Sequence, residues 1–117
     1  MSQLTITTRN VAAGMILEVA GDLDYDSAPR LRETVNELTL TRGQVLTLDL
    51  AGLEYCDSSG LTVILTARNL ATEQDADVAL AAIPDNVARI LSITGLDRVF
   101  TIHPDASAAN APRSAAS

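Results

Sequence analysis

Short apolar runs along the chain give five strands, and three longer runs with helical spacing give three helices. Residues 4–8 alternate Leu4 and Ile6 with threonines, and residues 15–20 form a second apolar run. A turn at residues 10–14 makes the pair an antiparallel hairpin. An acidic loop, Gly21-Asp22-Leu23-Asp24-Tyr25-Asp26, leads to a helix capped by Asp26 or Ser27, with Pro29 in its first turn. Ala28, Leu31, Val35 and Leu38 mark its apolar face. Gly43 turns the chain into a strand over residues 45–50, where Leu46, Leu48 and Leu50 alternate with Val45, Thr47 and Asp49. A second helix runs from Ser59 to Thr72, with Leu61, Ile64, Leu65 and Arg68 recurring at its spacing. After a polar break at residues 73–77 come a strand over residues 78–82 and a helix opened by Pro84-Asp85-Asn86. Val87, Ile90, Leu91 and Thr94 form the core face of that helix, and Gly95 ends it with Leu96 in the apolar position of a Schellman cap. Residues 99–102 read as the last strand.

Strands followed by helices from residue 15 onward require parallel crossovers. The expected fold is therefore α/β, a mixed sheet of about five strands with helices packed against it. One domain over residues 1–104 fits the length of 117 residues. From Asp105 to Ser117 the composition turns to Ala, Ser, Asn and Pro, which offers little apolar area against ordering entropy, and a disordered tail is expected.

Composition narrows the function. The chain carries a net charge of −7, and its eight basic residues are all Arg. Without a basic cluster, direct nucleic-acid binding is not expected, and three aromatic residues make a poor stacking platform. An acidic chain suits a protein partner with a basic docking surface. No apolar run approaches the roughly 20 residues of a membrane span, and no secretion signal is visible at the start, so a cytoplasmic protein without membrane attachment is expected. A single cysteine, Cys56, excludes an internal disulfide. A single histidine, His103, leaves metal sites and Ser-His catalysis poorly supplied. Asp22, Asp24 and Asp26 alternate but lack the glycine and terminal glutamate of a calcium loop. Neither a Walker loop nor a nucleophile elbow is present. No cofactor, metal or catalytic residue is expected.

The remaining chemistry sits between the strand at residues 45–50 and the helix at residues 59–72, in Asp57-Ser58-Ser59-Gly60. Ser and Asp are preferred helix caps, and a helix N-terminus offers unpaired amides and a positive dipole end. From the junction alone, capping is the commoner role for both serines. Four blocks then go together: Gly21-Asp22-Leu23-Asp24, Leu48-Asp49-Leu50, Tyr55-Cys56-Asp57-Ser58-Ser59-Gly60-Leu61 and Thr94-Gly95-Leu96-Asp97-Arg98-Val99-Phe100. Over residues 4–102 the chain resembles the anti-sigma factor antagonists, the bacterial anti-anti-sigma proteins of the STAS-domain family.

The resemblance implies a partner switch that regulates transcription in a stress response. An anti-sigma factor with a histidine-kinase-like ATPase fold is bound by the unphosphorylated antagonist, which frees a sigma factor. Phosphorylation of the first serine of the motif, here Ser58, ends the binding, and a serine phosphatase restores it. Asp24, Asp57, Ser59, Gly60, Thr62 and Arg68 join Ser58 at the implied docking face. Asp57 serves as a cap or as a charge orienting the kinase, and Ser59 is expected to cap the helix. Cys56 reads first as a small buried hydrophobe in an acidic neighbourhood that disfavours a thiolate; it departs from the aliphatic or Met residue usual in the family, and redox tuning at the docking edge is the alternative. The tail departs from the amphipathic helix with which family members often end. The alternative function on the same fold is a constitutive scaffold in a larger signalling or transport assembly, never phosphorylated.

Overall fold

A computed structural model describes residues 3–105. Two strands, β1 (Thr5–Val11) and β2 (Gly14–Leu23), form the expected antiparallel hairpin, in register from Val11↔Gly14 to Thr5↔Ala20. Gly14 lies at φ +150°, where a Cβ would strike the backbone of Val45, so glycine lets the next strand start against the turn. That strand, β3 (Val45–Asp49), runs parallel to the first half of β2. β5 (Asp77–Ala81) pairs with β3, and β6 (Thr101–His103) pairs with β5, both parallel. The path across the sheet is β1-β2-β3-β5-β6. A further strand, β4 (Leu53–Cys56), pairs in parallel with the second half of β2. The sheet is therefore mixed, with one antiparallel pairing and six strands among the described residues.

The core follows from register. Leu17, Leu48 and Leu80 lie side by side on three neighbouring strands and are fully buried. Ile16, Thr47 and Ala79, in the adjacent row, point the other way and are buried as well. Burial on both faces is normal for inner parallel strands and explains the unbroken apolar run of β5. Onto the leucine row pack α1 (Ala28–Glu37) through Ala28, Leu31 and Val35, α2 (Ser58–Glu73) through Val63, Ile64, Ala67 and Ala71, and α3 (Asp85–Thr94) through Val87 and Leu91.

Several expected boundaries move. β2 runs on through Gly21-Asp22-Leu23, which the pattern placed in a loop. β4 was not foreseen. The innermost stripe of α2 is Gly60, Val63, Ile64, Ala67 and Ala71, while Leu61, Leu65 and Arg68 are half-buried beside it. Gly60, Ala67 and Ala71 let this helix approach the sheet closely around Val63 and Ile64, and the leucines sit at the margin. Thr94 is exposed, and its hydroxyl lies 2.9 Å from the Ile90 carbonyl. Gly95 ends α3 in the left-handed region at φ 80°, and Leu96 packs against the core. A 3-10 turn at Leu96–Arg98 delays the last strand to Thr101. Of the tail expected over residues 105–117, all but Asp105 lies outside the described residues. No helix among the described residues is long and apolar enough to cross a membrane.

Candidate functional site

β4 carries the chain to the end of β2, where Leu23 pairs with Cys56 and the Asp57 N–H donates to the Leu23 carbonyl at 3.2 Å. Asp57 is extended (φ −101°, ψ −171°), and α2 begins at the next residue. Its Oδ1 accepts the Gly60 N–H at 3.1 Å, and its carbonyl accepts the Leu61 N–H at 3.1 Å. Asp57 is therefore the cap of α2. The capping role expected of Ser59 is already filled, because both serines lie inside the helix, one and two residues past the cap. Ser58 is exposed, and its carbonyl accepts the Thr62 hydroxyl at 2.9 Å. Gly60 is buried where a Cβ would come within 2.8 Å of the Leu23 carbonyl oxygen and of Cys56 Sγ. Its missing side chain seats the first turn of α2 on β2 and β4.

Cys56 is buried under this turn. Burial, helped by the neighbouring Asp57 charge, pushes its thiol pKa up to about 11. A thiol held protonated is a poor nucleophile at neutral pH, which removes the basis for redox tuning here.

The loop after β2 is tied down by Asp24. Its Oδ1 accepts the N–H groups of Asp26 (3.1 Å) and Ser27 (3.0 Å) and lies 3.1 Å from the Ser27 hydroxyl. The Asp24 carbonyl accepts the Ala28 N–H at 2.7 Å. Ser27 stands at the N-cap position of α1 but makes no side-chain cap bond. Asp24 and Ser27, not Asp26, together organise the entry to α1: the Asp24 carboxylate reaches the amides two and three residues on, while the Ser27 hydroxyl accepts the Asp24 N–H at 2.9 Å and donates to the Asp22 carbonyl at 2.8 Å.

The two loops meet. Asp22, Asp24, Tyr25, Asp26, Tyr55 and Asp57 line one pocket of about 440 Å³. Tyr25, Asp26 and Arg32 share the adjoining groove with Ser59 and Thr62. Among the expected site residues, the structure thus gathers Asp24, Asp57, Ser59 and Thr62 on neighbouring surfaces, with Ser58 exposed between Asp57 and Ser59 and Gly60 beneath. Arg68 lines neither cavity and lies roughly 15 Å along the helix from Ser58. Tyr25 and Tyr55 were not singled out from the sequence. Their signal was available: two of the chain's three aromatic residues sit beside the two acidic motifs. Among the described residues, no three His, Cys, Asp or Glu side chains converge to hold a metal.

Comparison with known proteins places this geometry in a family. Residues 3–109 match the STAS domain. The anti-sigma-B factor antagonist of Listeria monocytogenes is 32% identical over 84 residues, which cover 72% of this chain and 74% of that protein. The fold superposes on an anti-sigma factor antagonist from Mycobacterium paratuberculosis with a TM-score of 0.76 at 22% identity, covering 87% and 86% of the two chains. It also superposes on the Bacillus antagonist SpoIIAA. The unphosphorylated form gives a TM-score of 0.67 at 18% identity (92% of each chain), and the phosphorylated form 0.61 at 17% (92% and 96%). A domain match that spans residues 3–109, most of the sequence, makes this chain a member of the STAS-domain family.

Proposed function

We propose that the protein is an anti-sigma factor antagonist in a partner-switching pathway of the bacterial cytoplasm, a binding switch and not an enzyme. The unphosphorylated form docks on an anti-sigma factor that is also a serine kinase with a histidine-kinase-like ATPase fold, and so releases a sigma factor. Transfer of the ATP γ-phosphoryl group to Ser58 ends the docking, and a serine phosphatase resets it. The docking face runs from Asp24 across Asp57, Ser58, Ser59 and Gly60 to Thr62, with Arg68 at its far end.

The observation that carries this reading is the position of Ser58. Asp57 supplies the cap, so the exposed Ser58 side chain is left out of the bonding that holds the helix start. In the transfer, Ser58 Oγ bonds to the γ-phosphorus as the bond to ADP breaks, and the hydroxyl proton passes to a base on the kinase. The product carries about −1.5 to −2 charges at the N-terminus of α2. An anion there is stabilised by roughly 0.3–1 kcal/mol, so the domain keeps its fold. In a dehydrated interface the same group is bulky, charged and unpaired, and it faces the ADP from which it came. Docking then loses several kcal/mol while the free domain loses nothing comparable.

Intact-mass measurement after incubation with ATP and each candidate anti-sigma kinase of the same genome tests this. One phosphate on the wild type and none on Ser58→Ala is the expected result. Stable binding without transfer would instead favour an unphosphorylated scaffold, and a phosphate on both proteins would move the assignment to Ser59.

A further inference from the structure

The path of the sheet ends on β1 and on β6, and the two edges differ. β6 is three residues long and is followed by Pro104, and both features blunt an edge. β1 has no such guard. It runs for seven residues, holds neither proline nor lysine, and keeps an unbroken register with β2. Its start is fixed, because Leu4 is buried and Arg30 Nη1 donates to the Leu4 carbonyl at 2.8 Å. The direction of its backbone groups follows from one bond. The Val45 N–H donates to the Ala13 carbonyl at 3.0 Å, so along the start of β2 the odd-numbered residues turn to β3 and the even-numbered ones to β1. Gly14, Ile16, Glu18 and Ala20 therefore face Val11, Arg9, Thr7 and Thr5 as bonded pairs. The N–H and C=O groups of Ile6, Thr8 and Asn10 are left facing outward.

We propose that a second copy of this chain pairs with β1 edge to edge, antiparallel, about a twofold axis at Thr8. In that register Ile6 faces Asn10 of the second copy, and Thr8 faces its own equivalent. Each facing pair exchanges two backbone hydrogen bonds, so every outward group of the edge is used. The side chains agree with this register. On the side of the sheet away from α1, Arg9 faces Thr7 of the second copy, and Thr7 stands in register with Glu18. Arg9 is the one charged residue of β1, and Glu18 is half-buried. An arginine reaching over that threonine meets a carboxylate of opposite sign, and symmetry makes the contact twice. On the other side, a groove of about 370 Å³ lies between β1 and the end of α1, lined by Ile6, Thr8, Thr34, Glu37 and Leu38. Asn10 of the second copy, opposite Ile6, brings an amide donor to this groove and to Glu37. Neither Asp24 nor residues 57–62 belong to this edge, so the pairing goes beyond the switch at Ser58 and does not depend on it.

Sedimentation of the full-length protein at low ionic strength, from about 5 µM to about 500 µM, tests this. The mass should pass from one chain to two across that range, as a small interface requires. Thr8→Pro removes the central donor, yet it keeps the ladder to β2 because that N–H faces outward. It should raise the dimer dissociation constant by about tenfold or more, with the amide spectrum as the check on folding. Arg9→Glu should weaken the dimer, and Arg9→Glu/Glu18→Arg should restore it. A monomer at every concentration would overturn the self-pairing and leave the edge to an extended segment of another protein. A dimer that Thr8→Pro leaves unchanged would overturn it too, as would a charge swap that fails to restore affinity. Should Thr8→Pro not fold, the charge swap decides alone.

Discussion

Asp57 and Cys56 show how single residues at the junction divide structural work from exposure. Asp57 holds the Gly60 amide, so Asp57→Ala should cost about 1 kcal/mol in a urea titration. Asp57→Asn, which keeps an accepting oxygen, should cost only a few tenths. A comparable loss in Ser59→Ala would mean that the cap is wrongly assigned. Cys56 makes a pH prediction. Its folded pKa is raised from 9.0 to about 11, so the folded state holds the thiol proton more tightly than the unfolded chain does. The stability linked to that proton is complete below pH 9 and is lost as pH rises toward 11. The stability advantage of wild type over Cys56→Ala should therefore be flat at neutral pH and shrink by up to ~3 kcal/mol across that window. A flat difference through pH 11 would show a thiol that water reaches. The sequence named the polar cluster but could not rank its members, because Asp, Ser58 and Ser59 are all good caps. The ranking comes from the extended backbone at Asp57, which β4 imposes through the bond to the Leu23 carbonyl.

β4 is also the element that the pattern missed, and its burial shows why. Leu53 and Cys56 are buried while Glu54 and Tyr55 between them are exposed, so the period of two is broken. The register against β2 shifts between Gly21 and Asp22, and that irregularity accounts for the break. A four-residue strand without alternation carries no signal in composition, whereas the leucines of β3 announce themselves. The same packing fixes α2. Gly60 brings the helix start onto Leu23 and Cys56, and the opposing Leu23 carbonyl is backbone that cannot step aside cheaply. Gly60→Ala should therefore lower the denaturant midpoint by the equivalent of roughly 1–3 kcal/mol and displace the amide signals of β4 and the first turn of α2. If Gly60→Ala is as stable as wild type, the first turn of α2 has room to move away from Leu23 and Cys56. A helix read only from Leu61, Ile64 and Leu65 points its larger residues inward. Ile64 does point inward, but Gly60, Val63, Ala67 and Ala71 stand beside it in place of Leu61 and Leu65, a shift of one position round the helix that appears only once the sheet is present.

For the whole molecule, the order of strands was not legible, because pairing β5 with β3 and β4 with β2 depends on which strand has a free edge within reach. What was legible, a mixed sheet with crossover helices, already implies that a strand end and a helix start meet at the functional surface. That surface lies on a rigid scaffold: β2 and β4 anchor Asp57, while Asp24 braces its own loop. Charge added at Ser58 therefore has little to push against inside the domain. It gains from the amides of the first turn of α2, and it is opposed by carboxylates whose field is screened within about 8 Å at physiological salt. These effects nearly cancel, so Ser58→Glu should melt within a few degrees of wild type, a shift equivalent to under about 1 kcal/mol. Its amide spectrum should change only near residues 24–27 and 55–62, where the loop and the helix start adjoin. Binding to the proposed anti-sigma partner should nevertheless fall by tenfold or more, an interface cost of about 1.4 kcal/mol or greater. A spectrum that changes throughout the sheet would place the switch in the fold. Changes confined to the junction together with lost binding place it at the surface, where a rigid domain signals by charge and fit alone.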